Sequence, residues 1–144
     1  MMLALGLIVT MGITSAFAGE EKISAKVLEA FKSEFSTATD VSWVTGSNYY
    51  RAAFTNYDSK IFAYYSMDGE LLSVSRYISS LQLPLNLLTK LKNDYNNYWI
   101  SDLFEVSNRE GTHYYVTVEN ADTAIMLKSA NGSDWEKYKK KTKV

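Results

Sequence analysis

The amino-acid sequence predicts an α+β fold. Two tandem α-β-β-β-β units form one antiparallel sheet, with helices packed on one face and the other face free. Three observations carry this. Two amphipathic helical patterns occur, and each is followed by a series of short strand-like runs. The apolar helix positions repeat: Val27, Phe31 and Phe35 fall on Leu87, Leu91 and Tyr95 at an offset of 60. The turn chemistry repeats as well. Asn56-Tyr57-Asp58 falls on Asn120-Ala121-Asp122 at an offset of 64, and Asp68-Gly69 on Asn131-Gly132 at 63. Drifting offsets mark small loop insertions between copies of one unit of about 60 residues.

Ahead of the first unit, residues 1–18 carry no charged side chain. They end in Ser15-Ala16-Phe17-Ala18, followed by Gly19-Glu20-Glu21. Small residues two apart before a polar stretch are the cleavage pattern of a secretory signal peptide. A membrane anchor would need about 20 apolar residues, and Gly6, Thr10, Gly12, Thr14 and Ser15 weaken this stretch. No Lys or Arg precedes the run, and Met1-Met2 leaves open a start codon further upstream. The exported chain is then 19–144, one domain by length. Its units are about 22–79 and 80–138, with a basic tail over 137–144.

The first helix spans 24–36, with Ser24 as its N-cap. Strands follow over Val41–Val44, Tyr49–Thr55, Lys60–Ser66 and Leu71–Ile78. Asp68-Gly69 between the last two predicts a type I′ hairpin turn. The second helix starts at Pro84, the chain's one proline, in the first helical turn. Strands return over Trp99–Ser107, His113–Glu119 and Thr123–Ser129, with a last one through Trp135.

Alternation sorts the strand residues between two faces. Tyr50, Ala52, Phe54, Ile61, Ala63, Tyr65, Leu72 and Val74 are the expected helix-facing core of the first unit. Tyr114, Val116, Val118, Ile125 and Leu127 are that of the second. Tyr49, Arg51, Phe62, Tyr64, Tyr77 and Tyr115 point the other way, an aromatic set with no packing duty under the helices.

Composition excludes several chemistries. The 144 residues contain no Cys and one His, so disulfides, thiolate nucleophiles, thiolate zinc sites and multi-histidine metal sites are ruled out within one chain. A net charge of −1 gives no reason to expect nucleic acid. That figure hides a split. Lys137, Lys139, Lys140, Lys141 and Lys143 crowd the end, while residues 19–136 carry 10 cations against 16 carboxylates, a net −6. A basic tail on an acidic body can bind an anionic membrane surface or nucleic acid, but the tail reads first as a solubilising, frayed terminus. His113 reads as an edge or turn histidine, since no nucleophile–base spacing surrounds it. The carboxylate pairs Asp68/Glu70 and Glu20/Glu21 read as solvated. Asn56/Asp58 and Asn120/Asp122 suit Asx turns better than calcium, because no 12-residue loop closes on a Glu. No cofactor motif occurs.

In order along the chain, these elements resemble the PepSY-like, beta-lactamase-inhibitor-like (BLIP-like) family of small secreted bacterial proteins. The residues that carry the likeness are the first helix with its Val27-x-x-x-Phe31 core, Val41-Ser42-Trp43 and Tyr50-Arg51-Ala52-Ala53-Phe54. Ser66-Met67-Asp68-Gly69-Glu70-Leu71-Leu72, Ile78 and Leu83-Pro84 continue it. The likeness covers nearly all of 22–135. It implies a periplasmic or secreted protein whose free sheet face binds a protein, as such faces grip a beta-lactamase or restrain a peptidase. No binding residue carries over, because the shared motif residues are core and turn residues. The inhibitor proper is disulfide-bonded, which this chain is not.

The reading that follows is a non-enzymatic binding protein without cofactor or metal. Its partner is a protein or peptide of the cell envelope, held by Tyr49, Arg51, Phe62, Tyr64, Tyr77 and Tyr115. Nucleic acid is not expected, nor a membrane span after signal cleavage. The alternatives are a carrier with an apolar cleft between the units, and an envelope protein that dimerises through the same face.

Overall fold

The computed structural model describes residues 23–144, so the expected signal peptide lies outside the described residues. Helix α1 covers Ala25–Glu34 and is capped by Ser24, whose side chain accepts from the Val27 amide at 3.4 Å. Its buried stripe is Val27 and Phe31. Helix α2 covers Leu85–Asp94, with Pro84 as N-cap and Leu87 and Leu91 buried. Pro84 thus stands one position before the helix, where it has no amide hydrogen to leave unpaired. Both helices close alike. The Phe35 amide donates to the Phe31 carbonyl at 2.8 Å, and Tyr95 to Leu91 at 2.9 Å, again 60 residues apart.

Eight strands form one sheet in the order β1 to β8, all neighbours antiparallel. They are β1 (Thr39–Thr45), β2 (Tyr49–Asn56), β3 (Ser59–Ser66), β4 (Leu71–Tyr77), β5 (Trp99–Asn108), β6 (Gly111–Glu119), β7 (Thr123–Ser129) and β8 (Glu136–Thr142). A strand order equal to the sequence order needs only hairpins and the α2 connection. The core divides into two clusters on one side of the sheet. Under α1 lie Ala52, Phe54, Ala63 and Tyr65; under α2 lie Leu103, Val116, Val118, Ile125 and Leu127. The expected α+β architecture is therefore observed, with both helices on one face.

Several local expectations are corrected. The type I′ turn sits at Tyr57-Asp58, both with positive φ (48° and 65°), and not at Asp68-Gly69. The β3–β4 connection is a longer loop, in which only Gly69 is left-handed (φ 89°). Its amide donates to the Ser66 carbonyl at 3.1 Å. That is the pattern of a type I turn closed by a left-handed glycine. A Cβ on Gly69 would also meet the Lys26 carbonyl oxygen of α1 at 3.0 Å. A bulge then shifts the register between Tyr64 and Tyr65, so that Leu71 lies opposite Tyr65. Leu71 joins the core in place of Leu72, which is exposed. One extra residue flips the side chain to the other face.

The lysine tail is also not frayed. Glu136–Thr142 is strand β8, paired with β7 from Thr123↔Thr142 to Lys128↔Glu136. Trp135 precedes it and packs against the α2 core, its indole Nε1–H donating to the Leu87 carbonyl at 2.9 Å. An edge strand built largely of lysine resists pairing with another chain, because like charges would face each other along the new ladder. Lys143 fastens the end of the strand. Its ammonium lies 2.8 Å from Glu119 Oε1 and 2.8 Å from the Asn120 carbonyl, and 4.7 Å from the Trp99 ring centroid. Hydrogen bonds from Lys143 first, and from Ser101 second, hold the Glu119 carboxyl below its usual range.

One buried phenol makes the fold sensitive to alkali. Tyr65 is fully buried, and its hydroxyl donates to Glu34 Oε1 at 3.2 Å. Burial first, then the negative charge of Glu34, push its pKa well above the usual phenol range. The folded state therefore keeps a proton that the unfolded chain releases above about pH 10. Its stabilisation is complete below that pH and is lost as pH rises further. Urea unfolding should show lower stability at pH 11 than at pH 8. Tyr65→Phe should flatten that slope in part and cost about 0.5–1.5 kcal/mol at pH 8. An unchanged slope would exclude Tyr65 as its source.

Candidate functional site

Strand register assigns the side of the sheet away from the helices. Ala53, Phe62, Ser75, Val106 and His113 form one row across β2 to β6. Tyr77, Phe104, Tyr115 and Lys128 form the next, across β4 to β7. All six residues expected on this face stand on it. Tyr49 lies 5.8 Å from Tyr64 between ring centroids, and the Arg51 guanidinium lies 5.4 Å from the Phe62 centroid.

The rings connect into a ladder across the sheet. Phe62 meets Tyr77 at 6.0 Å, Tyr77 meets Phe104 at 6.4 Å, Phe104 stacks on Tyr115 at 5.0 Å and 10°, and Tyr115 meets Tyr138 at 5.7 Å. Offset and edge-on contacts at these separations are attractive, so the rings hold one another in place. Tyr77 and Tyr138 remain more than half exposed. Phe104 is the link between the Phe62–Tyr77 group and Tyr115, and the sequence reading did not name it. The Asn108↔Gly111 hairpin register would have located it, since it sets Phe104 opposite Tyr115. Tyr138 was hidden because the tail was not read as a strand.

The face has shallow relief. One depression of about 170 Å³ lies among Arg51, Phe62, Tyr64, Ser75, Tyr77 and Phe104. A second, of about 460 Å³, lies among Thr117, Ala124, Met126 and Lys139 to Lys141. On the helix side, a depression of about 270 Å³ is lined by Leu88, Leu91, Tyr95, Tyr98, Ile100 and Val118. It belongs to the second unit. The ground between the two cores is polar, with Arg76 Nε 3.0 Å from Glu105 Oε1 beside Tyr114.

His113 stands inside the sheet on β6, opposite Val106, and is neither an edge nor a turn residue. It is buried, and neither ring nitrogen has a hydrogen-bond partner. Among the described residues, no three His, Cys, Asp or Glu side chains gather as a metal site would require. Glu70 pairs with Arg109, Asn120 Oδ1 accepts from the Asp122 and Thr123 amides, and Asn131 Oδ1 caps its own loop. The Asx reading of Asn120 therefore holds. No helix among the described residues is long and apolar enough to cross a membrane.

No protein-family model matches this chain, and no curated protein matches it in sequence. Solved structures match its fold. A BLIP-like protein from Bacteroides fragilis NCTC 9343 superposes with a TM-score of 0.71 at 22% identity, over 83% of this chain and 86% of that one. A DUF2874 family protein from Bacteroides uniformis ATCC 8492 gives 0.72 at 16% identity, over 83% and 88%. A protein from Bacteroides eggerthii DSM 20697, inferred to be periplasmic, gives 0.72 at 13%, over 83% and 88%. At these identities the likeness is one of fold. The chain has the fold shared by BLIP-like and DUF2874 proteins, two helices on one face of an eight-stranded meander.

Proposed function

We propose that this is an exported, non-enzymatic binding protein of the PepSY-like type that grips a protein or peptide of the cell envelope on its helix-free sheet face. Inhibition or regulation of an envelope protein or peptidase is the role such gripping serves. The observation that carries this reading is the ladder from Phe62 to Tyr138, five rings each touching the next on a face that no described element covers. Exposed Tyr77 and Tyr138, with the partly buried Phe62, Phe104, Tyr115, Arg51 and Met126 around them, are residue types that interfaces enrich. Export rests on the apolar segment 1–18 with its Ala16-Phe17-Ala18 site, and it is supported by a solved protein of the same fold that is inferred to be periplasmic.

Tagged mature protein should capture a defined partner from periplasmic extract. Phe62→Ala/Tyr64→Ala should abolish that capture while leaving the circular dichroism spectrum unchanged. Capture by the double variant at the wild-type level would refute the face assignment. The helix-side depression supports a second reading, a carrier of a small apolar ligand. It requires a co-purifying ligand in native mass spectrometry. Light scattering decides whether the face instead pairs two copies, which would double the mass.

A further inference from the structure

The helix-free face also has a distinctive charge pattern. By register and ring contacts it carries Arg51, Lys60, Lys128, Lys139, Lys141 and Lys143 against Asp102, Glu119 and Glu136, a net charge of +3. The described residues as a whole are balanced. Without Lys22, Glu20 and Glu21, the chain's 15 cations and 16 carboxylates become 14 of each, so the remaining surface carries −3. Residues 23–144, balanced as a whole, thus carry a positive excess on the face that bears the aromatic ladder.

The cations stand at the two ends of that ladder. Arg51 and Lys60 lie on β2 and β3; Lys128, Lys139 and Lys141 lie on β7 and β8. Six strand steps at about 4.8 Å separate β2 from β8 by roughly 29 Å. Phe62, Tyr77, Phe104 and Tyr115 are the uncharged rings between them, and the charges placed in that interval, Asp102 on β5 and Glu119 on β6, are carboxylates. At the far end, the Lys128 ammonium lies 5.5 Å from the Tyr115 centroid and 5.9 Å from that of Tyr138, and Lys139 lies 5.6 Å from Tyr138. Among the described residues no carboxylate lies within ion-pair distance of Arg51, Lys128, Lys139 or Lys141. Ring faces attract these ammonium groups without neutralising them. Beside them is the 460 Å³ depression, with Thr117, Ala124 and Met126 beneath and the lysines at its margin. It has room for side chains with an apolar stem and an anionic end.

We infer that the face takes an acidic polypeptide, whose apolar side chains lie on the ladder and whose carboxylates are held at the β7–β8 end by Lys128, Lys139 and Lys141. This rests on the binding-face reading and specifies the partner's chemistry. Unpaired cations opposite partner carboxylates speed association and select against neutral or basic surfaces. A phosphate backbone or an anionic bilayer presents charge evenly. Here the cations are split across the sheet by uncharged rings, and Asp102, opposite Thr117 on the same face, repels a uniform polyanion.

Fluorescence anisotropy of the mature protein with a labelled 12-residue peptide of alternating Glu and Leu tests this, with the Gln-for-Glu peptide as comparison. The Glu peptide should bind at least tenfold tighter at 25 mM NaCl, and the advantage should shrink at 300 mM. Lys128→Gln/Lys139→Gln/Lys141→Gln should erase the preference, and the corresponding Arg variant should retain it. Equal binding of the two peptides overturns the proposal, as does a preference that survives in the Gln variant. Tighter binding of a 20-residue oligothymidylate or of phosphatidylglycerol vesicles than of the Glu peptide also overturns it. If the Gln variant still captures the periplasmic partner while Phe62→Ala/Tyr64→Ala does not, the binding face stands and the acidic partner falls.

Discussion

Phe104→Ala is expected to weaken partner capture by about 30- to 1,000-fold while the protein stays folded. The size follows from position. Phe104 stacks on Tyr115 at 5.0 Å and meets Tyr77 at 6.4 Å, so it is the one ring that joins the two halves of the ladder. Its removal takes away a contact and frees both neighbours to reorient. Central aromatic anchors cost about 2–4 kcal/mol when truncated, and each 1.4 kcal/mol is tenfold in affinity. Phe104 is only half-buried and lies opposite the cores, so the helix packing is untouched. Surface plasmon resonance with the captured partner measures the change. Leu81→Ala is the control, because Leu81 is 84% exposed in the short helical turn before α2 and away from the face. A loss below threefold at Phe104, or an equal loss at Leu81, would remove the ladder from the interface.

The largest effect on stability is expected at Phe54. It is fully buried, its ring 5.0 Å from Phe31 and 4.8 Å from Phe35, and Phe31 in turn packs on Trp43 at 5.2 Å. Phe54→Ala leaves a cavity under α1 that neither the helix nor the sheet can close. Buried Phe→Ala changes cost about 3–5 kcal/mol, a large part of a total of about 5–15 kcal/mol. For a chain of this size the melting temperature should fall by roughly 10–20 °C. Calorimetry measures it. Phe62→Ala, at a partly buried ring on the other face, should lower it by much less. Equal losses at the two sites would mean that the helix-free face is packed as tightly as the core.

The faces were legible wherever strand alternation ran unbroken. Ala52, Phe54, Ala63 and Tyr65, and likewise Val116, Val118, Ile125 and Leu127, follow a period of two and are all buried. The helices were legible because Val27/Phe31 and Leu87/Leu91 repeat at helical spacing behind a cap. Errors fell where the period breaks. The bulge at Tyr64/Tyr65 put Leu72 outside, and the one at Met126/Leu127 brought Tyr138 onto the ladder. A bulge is set by the fit of two strands, which one strand's sequence does not contain. The lysine run failed as a strand signal for a similar reason. Lysine has low strand preference, and β8 exists because β7 offers it a free edge.

The sequence by itself determined the periodicities: two helix stripes, strand alternation, and turn residues recurring about 60 positions apart. It thereby determined which side chains are apolar on each face, because alternation is a property of consecutive residues. The tertiary structure decided which of those side chains touch. Phe104 against Tyr115, Lys128 over Tyr138, and the neighbouring of Tyr77 and Phe62 depend on inter-strand register. Register is settled by loop lengths and bulges acting between segments far apart in the chain. The lysines show the difference most plainly. In the sequence they are a charged tail, whereas in the sheet they are its edge and the positive end of its aromatic face.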